Sequence, residues 1–182
     1  MTSSSEPEAA AADPRAGGDD PADVAVAWVE AVMDHKDLRA AWPLMERDLR
    51  LVLAQHWVLS HAEMQSDIIG PQAGWDMLAQ GLAGDPSNHP LWDKFAKERL
   101  LRWREYWGKF STRTWKVRET EMLGTDAAIV TFTEPRLPAL ETKPGPPPVF
   151  RRFALRRSDG VWLLAGLDGR NVFRPGWPPS RA

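Results

Sequence analysis

The chain has 182 residues, of which 43% are hydrophobic and 26% are charged, and its formal net charge is −2. These values are typical of a folded domain and exclude wholesale disorder. The small net charge gives no reason to expect a nucleic acid or an anionic membrane as partner. Cysteine is absent, which excludes disulfides, thiolate nucleophiles and cysteine–zinc sites. No apolar run reaches the about 18 residues of a membrane span, and no secretory signal is evident, so we expect a cytoplasmic protein.

The first twenty residues differ in composition from the rest. They contain five acidic side chains and one arginine, and are otherwise mostly alanine, serine, proline and glycine. Such a segment cannot bury enough apolar surface to offset the entropy of ordering it. We predict a disordered acidic tail over 1–20, which either recruits a partner or only solubilises the chain. A single domain is predicted over 21–169 and a proline-rich C-terminal tail over 170–182.

Helix-start signals open the predicted domain. Asp20 precedes Pro21, an arrangement typical of a helix N-terminus, and apolar residues then recur at helical spacing to about His35. Asp37 is placed to cap a second helix, which Pro43 must kink or divide.

Further helices are predicted between residues 49 and 107. Residues 49–57 fit either a helix or a strand, and their length favours the helix. A short helix is predicted over 75–82. The strongest helical signal follows Asn88, which is placed as a cap, and one stripe of this long helix is apolar: Trp92, Ala96, Leu100, Trp103 and Trp107. On its far side Glu98 and Arg102 are four apart, where a surface ion pair is expected.

After residue 108 the apolar period changes from about 3.6 to about 2, which predicts strands. The four strands are predicted over 112–123, 127–133, 149–157 and 161–167. Compact turns at 124–126 and 158–160 predict antiparallel hairpins. Residues 134–148 contain six prolines, so no regular structure is expected there. This order predicts an α+β fold, with N-terminal helices packed on a curved antiparallel sheet of about four or more strands.

Three segments carry a resemblance to a known family. They are a Lys-Asp-Leu turn over 36–38, a helix start reading Leu-Arg-Ala-Ala-Trp over 38–42, and a last strand reading Gly-Val-Trp-Leu-Leu-Ala-Gly over 160–166. Over 22–57 and 110–168 this layout resembles the nuclear transport factor 2-like superfamily, which includes ketosteroid isomerase, scytalone dehydratase, limonene-epoxide hydrolase and polyketide cyclases. The resemblance implies a cone, in which a strongly curved sheet wraps around helices and leaves a pocket at its open end.

The ten tryptophans of the chain are unusually many for its length. They indicate an aromatic-lined pocket for an apolar or aromatic small molecule. The predicted ligand-binding residues are Trp57, Trp103, Trp107, Tyr106, Trp115, Phe132 and Phe153. The alternative is that these rings form the hydrophobic core and the seam between helices and sheet.

Three residues are candidates for acid–base catalysis. Glu119 has the same strand parity as Trp115, so an inward tryptophan would draw this carboxylate toward the pocket, where it could act as general acid or base. Asp168, after the last strand, could add a second carboxylate at the mouth of the cone. His61, with Glu63 nearby, could act as a polarised base. The alternatives are solvated carboxylates at strand ends and a surface histidine in a loop.

No metal, cofactor or nucleic-acid partner is predicted. His56 and His61 are five apart rather than the four that bring two ligands together on a helix, and no third ligand is evident. The arginines over 149–157 point to both faces of their strand and form no single basic patch. In the C-terminal tail, Phe173 and Trp177 are expected to dock on the body or across a dimer interface.

We therefore expect a small-molecule-binding protein, which could be a cofactor-independent isomerase, cyclase, dehydratase or hydrolase. The alternative is a non-catalytic dimeric adaptor that binds a protein through its sheet face or proline-rich loop. Glu119 in a cavity would favour catalysis. An interior filled by tryptophans would favour the adaptor.

Overall fold

The structure, a computed structural model, describes residues 18–62, 71–86, 89–134, 149–167, 169 and 174–179. In these ranges five α-helices precede a four-stranded antiparallel sheet, which confirms the α+β prediction. The helices are α1 (Pro21–Val29), α2 (Leu38–Ala41), α3 (Arg47–Ala62), α4 (Trp75–Ala83) and α5 (Trp92–Trp107), and the strands are β1 (Lys116–Met122), β2 (Ala127–Thr133), β3 (Phe150–Ser158) and β4 (Val161–Gly166). Most of the predicted acidic tail and the proline-rich loop over 135–148 lie outside the described residues.

The predicted start signals of α1 and α2 are confirmed. The carboxylate of Asp20 accepts an amide N–H of the first turn of α1 at 2.7 Å, and that of Asp37 accepts one from α2 at 3.0 Å. α1 continues into a π-helical turn, Glu30–Asp34. α2 passes into a 3-10 turn, Trp42–Leu44, at Pro43, because proline lacks the N–H that a continuing α-helix needs.

The two long helices, α3 and α5, were both predicted, but the buried side of α5 was predicted incompletely. Residues 49–57 belong to α3, as their length suggested. All residues of the predicted apolar stripe of α5 face the core, although Ala96 and Leu100 pack against it while only half-buried. The buried side chains of α5 are Trp92, Phe95, Arg99, Trp103 and Trp107. The stripe was assigned from apolar residue types alone, whereas the actual core-facing stripe includes an arginine.

The sheet is a meander with the strand order β1-β2-β3-β4. Asp159 and Gly160 have positive φ values of 50° and 84° in the turn between β3 and β4, and Ser158 pairs with Val161. Positive φ at both central residues is what a two-residue type I′ hairpin turn requires. The hairpin predicted from residues 158–160 is therefore confirmed.

The first strand begins later than predicted. β1 starts at Lys116 rather than at residue 112. Trp115 precedes the strand and closes a turn in which its amide N–H donates to the carbonyl of Ser111 at 2.8 Å. A register shift then separates Val117 from Glu119 in the pairing with β2, so the simple alternation used to assign the faces of this strand fails.

The outer edge of β4 is covered by two segments from the N-terminal half. The amide of Trp162 donates to the carbonyl of Gly18 at 3.1 Å, and the carbonyl of Leu164 accepts the amide of Glu46 at 2.8 Å. Covering an edge in this way removes a template for pairing with other chains. It also shows that the predicted tail over 1–20 extended too far, because Gly18 already pairs with the sheet.

The interior is built around Trp28 of α1. Its ring centroid lies 5.1 Å from Trp103, 5.5 Å from Trp107 and 5.6 Å from Phe153. These are edge-to-face or tilted contacts, the arrangements that aromatic rings favour. Helix α1, helix α5 and strand β3 therefore meet through rings rather than through aliphatic side chains.

The C-terminal segment returns to the helices. The amide of Gly176 donates to the side-chain oxygen of Gln55 on α3 at 3.1 Å, and the ring of Trp177 lies 5.8 Å from that of Trp75 on α4. The expectation that Trp177 docks on the body is confirmed, whereas Phe173 lies outside the described residues. Across the described ranges, none of the helices is long and apolar enough to traverse a bilayer.

Candidate functional site

Most of the rings predicted to bind a ligand lie in the core. Six of the seven are buried: Trp57, Trp103, Trp107, Trp115, Phe132 and Phe153. They contact each other and neighbouring rings, with centroid separations of 5.0 Å for Phe110–Trp115 and 5.5 Å for Phe132–Phe153. These contacts correspond to the alternative in which the rings form the core and the helix–sheet seam.

Tyr106, the seventh predicted ring, lies on the outside of α5 and is 63% exposed. The guanidinium carbon of Arg151 lies 5.8 Å from its ring centroid, within the range of a cation–π contact. Tyr106 is therefore a surface ring and is not part of the hydrophobic core.

The predicted carboxylates do not form a buried acid–base pair in the described part of the chain. Glu119 is exposed, so the expectation that it turns inward with Trp115 is wrong. The register shift between Val117 and Glu119 reverses the parity on which that expectation depended. Asp168 lies outside the described residues.

His61 is buried in the last turn of α3, only 4% exposed, and is neither in a loop nor on the surface. Its Nε2 lies 2.9 Å from Oε2 of Glu98 on α5, and its ring stacks on Trp57 with centroids 4.2 Å apart. The indole N–H of Trp57 donates to the same oxygen of Glu98 at 2.9 Å. Helices α3 and α5 are thus joined by one carboxylate that serves two donors.

Both ring nitrogens of His61 face acceptors. Nδ1 lies 2.9 Å from the carbonyl oxygen of Trp57 and 3.3 Å from Oγ of Ser60, whose hydroxyl donates to that carbonyl. Both ring nitrogens are therefore engaged inside the protein. A general base needs a free ring nitrogen within reach of its substrate. The arrangement favours a structural role for His61 in joining the two helices.

Glu98 was missed as a partner because its i,i+4 spacing to Arg102 indicated a surface ion pair. One feature of the sequence could have indicated this contact: Glu98 lies directly before Arg99, at the edge of the buried stripe of α5. A long side chain at such a boundary can reach the neighbouring helix.

Arg99 lies in the core side of α5 beside this cluster. It donates from Nη2 to the carbonyl of Leu53 on α3 at 2.9 Å, and its guanidinium carbon lies 5.9 Å from the ring of Trp103. Burial lowers the pKa of Arg99 to about 10, and the like charge of Arg102 adds to the shift. The guanidinium is therefore still charged at neutral pH and is held by a backbone oxygen and a π face.

A depression of about 420 Å³ lies on the outer side of α4. Its lining residues are Gly74, Met77, Leu78, Gly81 and His89. The imidazole is the one polar side chain among these described lining residues. Met77 is largely exposed at its rim.

The imidazole of His89 is fixed in one orientation. Its Nδ1 accepts the amide N–H of Leu91 at 3.2 Å. Its Cδ2–Nε2 edge lies against Gly81, where an added Cβ would be only 2.8 Å from Cδ2 and 3.2 Å from Nε2. Burial lowers the pKa of His89 below its ordinary value of 6.5, so the ring is neutral at pH 7. The sequence offered no signal for this site, because His89 follows a stretch broken by glycine and proline.

Metal binding and similarity to other proteins add no further constraint. Within the residues that the structure describes, no group of three or more His, Asp or Glu side chains could hold a metal ion. Comparison with protein-family models, curated proteins and solved structures finds no match to this chain.

Proposed function

We propose that the protein binds a small apolar molecule in the depression on α4, with the aromatic interior serving as a rigid support. The observation that carries this proposal is the combination of an apolar concave surface with one oriented polar group, His89. Small-molecule sites are typically apolar clefts of about 300–1,000 Å³ with a few placed polar groups. The depression has a volume of about 420 Å³ and is largely open to solvent. The small-molecule partner and a cytoplasmic location are parts of the same proposal.

Binding without acid–base catalysis is the form of the proposal that the side chains support. Both ring nitrogens of His61 are engaged inside the protein, and Glu119 lies exposed. The resemblance to the nuclear transport factor 2-like superfamily remains part of the proposal. It is supported by the order of helices followed by an antiparallel meander.

A titration of the full chain with 2-acetylnaphthalene tests the site. We expect shifts of the Met77 methyl signal and of the Gly74 and Gly81 amides in NMR spectra, with signals of the sheet unchanged. G81A should weaken binding, because the new Cβ displaces the imidazole of His89. G176A is the matched control, since nothing lies within 4 Å of its added Cβ. Shifts spread evenly over the chain, or equal weakening by both variants, would contradict the proposal.

A second candidate, the non-catalytic dimeric adaptor, is favoured by one observation. The rings assigned to a ligand pocket beneath the sheet contact each other instead, as an adaptor would have them. Light scattering of the full chain tests the dimer. A mass of one chain at all concentrations used would remove the homodimer from this candidate.

A further inference from the structure

The class of ligand can be inferred from which ring nitrogen of His89 carries the proton. A backbone amide can only donate, so Nδ1 of His89 holds a lone pair toward Leu91. In the neutral ring the remaining proton is on Nε2. Nε2 belongs to the ring edge that lies against Gly81, on the side of α4 where the depression is. His89 lines the depression, and the ring edge beside Gly81 carries its Nε2–H donor.

The rest of the lining restricts the ligand further. Met77 and Leu78 offer apolar surface, and Gly74 and Gly81 have no side chains that could donate or accept. Among the described residues of the lining, none supplies a permanent cation to pair with an anion or a carboxylate to pair with an amine. A charged ligand would therefore find no partner of opposite charge among these residues.

Gly81 fixes the position of the donor. Because glycine has no Cβ, the imidazole can approach the backbone of α4 closely, and any larger residue would have to push it away. The Leu91 amide holds the other side of the ring. A ring anchored by this hydrogen bond loses less freedom when a ligand binds than a free side chain would.

Building on the proposed function, we propose that the ligand of this depression is a neutral apolar molecule with one hydrogen-bond acceptor, such as a carbonyl oxygen, that accepts the Nε2–H of His89. The acceptor orients the molecule and the apolar body fills the space along Met77 and Leu78.

Two isosteric probes test this inference. 2-Acetylnaphthalene has a carbonyl oxygen where 2-isopropenylnaphthalene has a methylene group, and the two have nearly the same shape. One hydrogen bond to a neutral donor predicts about 3- to 10-fold tighter binding of the ketone, measured by NMR titration at Met77. H89F should abolish the preference while keeping a ring at this position, and H89Q should restore part of it through its amide donor.

The outcomes separate the inference from the function on which it rests. A preference for the ketone that H89F removes supports both. Binding of both probes at Met77 with equal or reversed affinity, or a preference that survives in H89F, overturns the acceptor inference and leaves the binding site standing. Binding of neither probe overturns the proposed site itself.

Discussion

At the scale of single residues, Glu98 shows how one side chain can link two helices. It accepts from the ring N–H of His61 and from that of Trp57, both on α3, while its own backbone lies in α5. The side chain of Glu98 is about one-third exposed, so its charge is only partly removed from water. Hydrogen bonds to a charged acceptor contribute more than neutral ones. Weakening these two hydrogen bonds should therefore measurably lower the free energy of unfolding.

Glu98→Gln tests the strength of this link. The amide keeps an oxygen acceptor for one donor but removes the negative charge that strengthens both hydrogen bonds. We expect a loss of about 1–3 kcal/mol in the free energy of unfolding, measured by urea denaturation. Glu105→Gln on the same helix is the control, because Glu105 is exposed and such surface changes cost within about 0.5 kcal/mol. Equal effects of the two variants would show that the cluster contributes nothing.

His89 predicts a dependence of stability on pH. Burial lowers its pKa in the folded state below the 6.5 of the unfolded chain, so the unfolded chain binds the proton more readily. Above pH 6.5 both states are neutral and the group has no effect. As the pH falls through 6.5 toward the lowered folded value, the wild type should lose stability that His89→Gln does not lose. Urea midpoints of both proteins between pH 8 and pH 5 measure this, and a constant difference across the range would contradict it.

At the scale of elements, turns and caps were predictable because they are local. Asp20, Asp37 and the Asp159–Gly160 turn act through their own backbone neighbours, so their chemistry is visible in a short window of sequence. The face of β1 was not predictable, because a register shift depends on the partner strand. Arg99 on the buried stripe of α5 was missed for a similar reason, since its partner is the Leu53 carbonyl of another helix.

Gly160→Ala tests the turn that joins β3 and β4. Gly160 has a φ of 84° and nothing within 4 Å of an added Cβ, so backbone strain is the only cost. A left-handed conformation costs about 1–2 kcal/mol for a residue with a Cβ, and we expect a loss of that size in thermal or urea unfolding. Gly176→Ala adds the same methyl group in equally open space without a positive φ and should change stability far less. A cost for Gly160→Ala no larger than that of the control would mean that the turn relaxes freely.

At the scale of the whole molecule, the sequence predicts which residues are buried better than it predicts the space between them. Periodicity correctly identifies Trp92, Trp103 and Trp107 as inward-facing. It does not tell whether inward rings line a hollow or contact each other, because that depends on how helices and sheet approach in three dimensions. The depression on α4 was invisible for the same reason. It arises where Gly81 and His89, eight residues apart in the sequence, meet in the fold.

Trp28 and Trp177 should contribute very differently to the free energy of unfolding. Trp28 is fully buried and contacts rings from α5 and β3, whereas Trp177 is 39% exposed and contacts Trp75 at the surface. Trp28→Ala should cost about 3–5 kcal/mol through lost burial and the cavity left behind. This is a large share of the about 5–15 kcal/mol that stabilises a typical domain.

Trp177→Ala should cost only about 1 kcal/mol, the size of one partly exposed aromatic pair. Urea denaturation followed by far-UV circular dichroism measures both costs, and near-UV circular dichroism reports the packing of the remaining rings. The Trp28 variant should lose most of the near-UV signal even where its helices persist, while the Trp177 variant should keep it. Equal costs for the two substitutions would mean that the rings around Trp28 rearrange to fill the vacated space, and would contradict the rigid aromatic support assumed for the proposed binding site on α4.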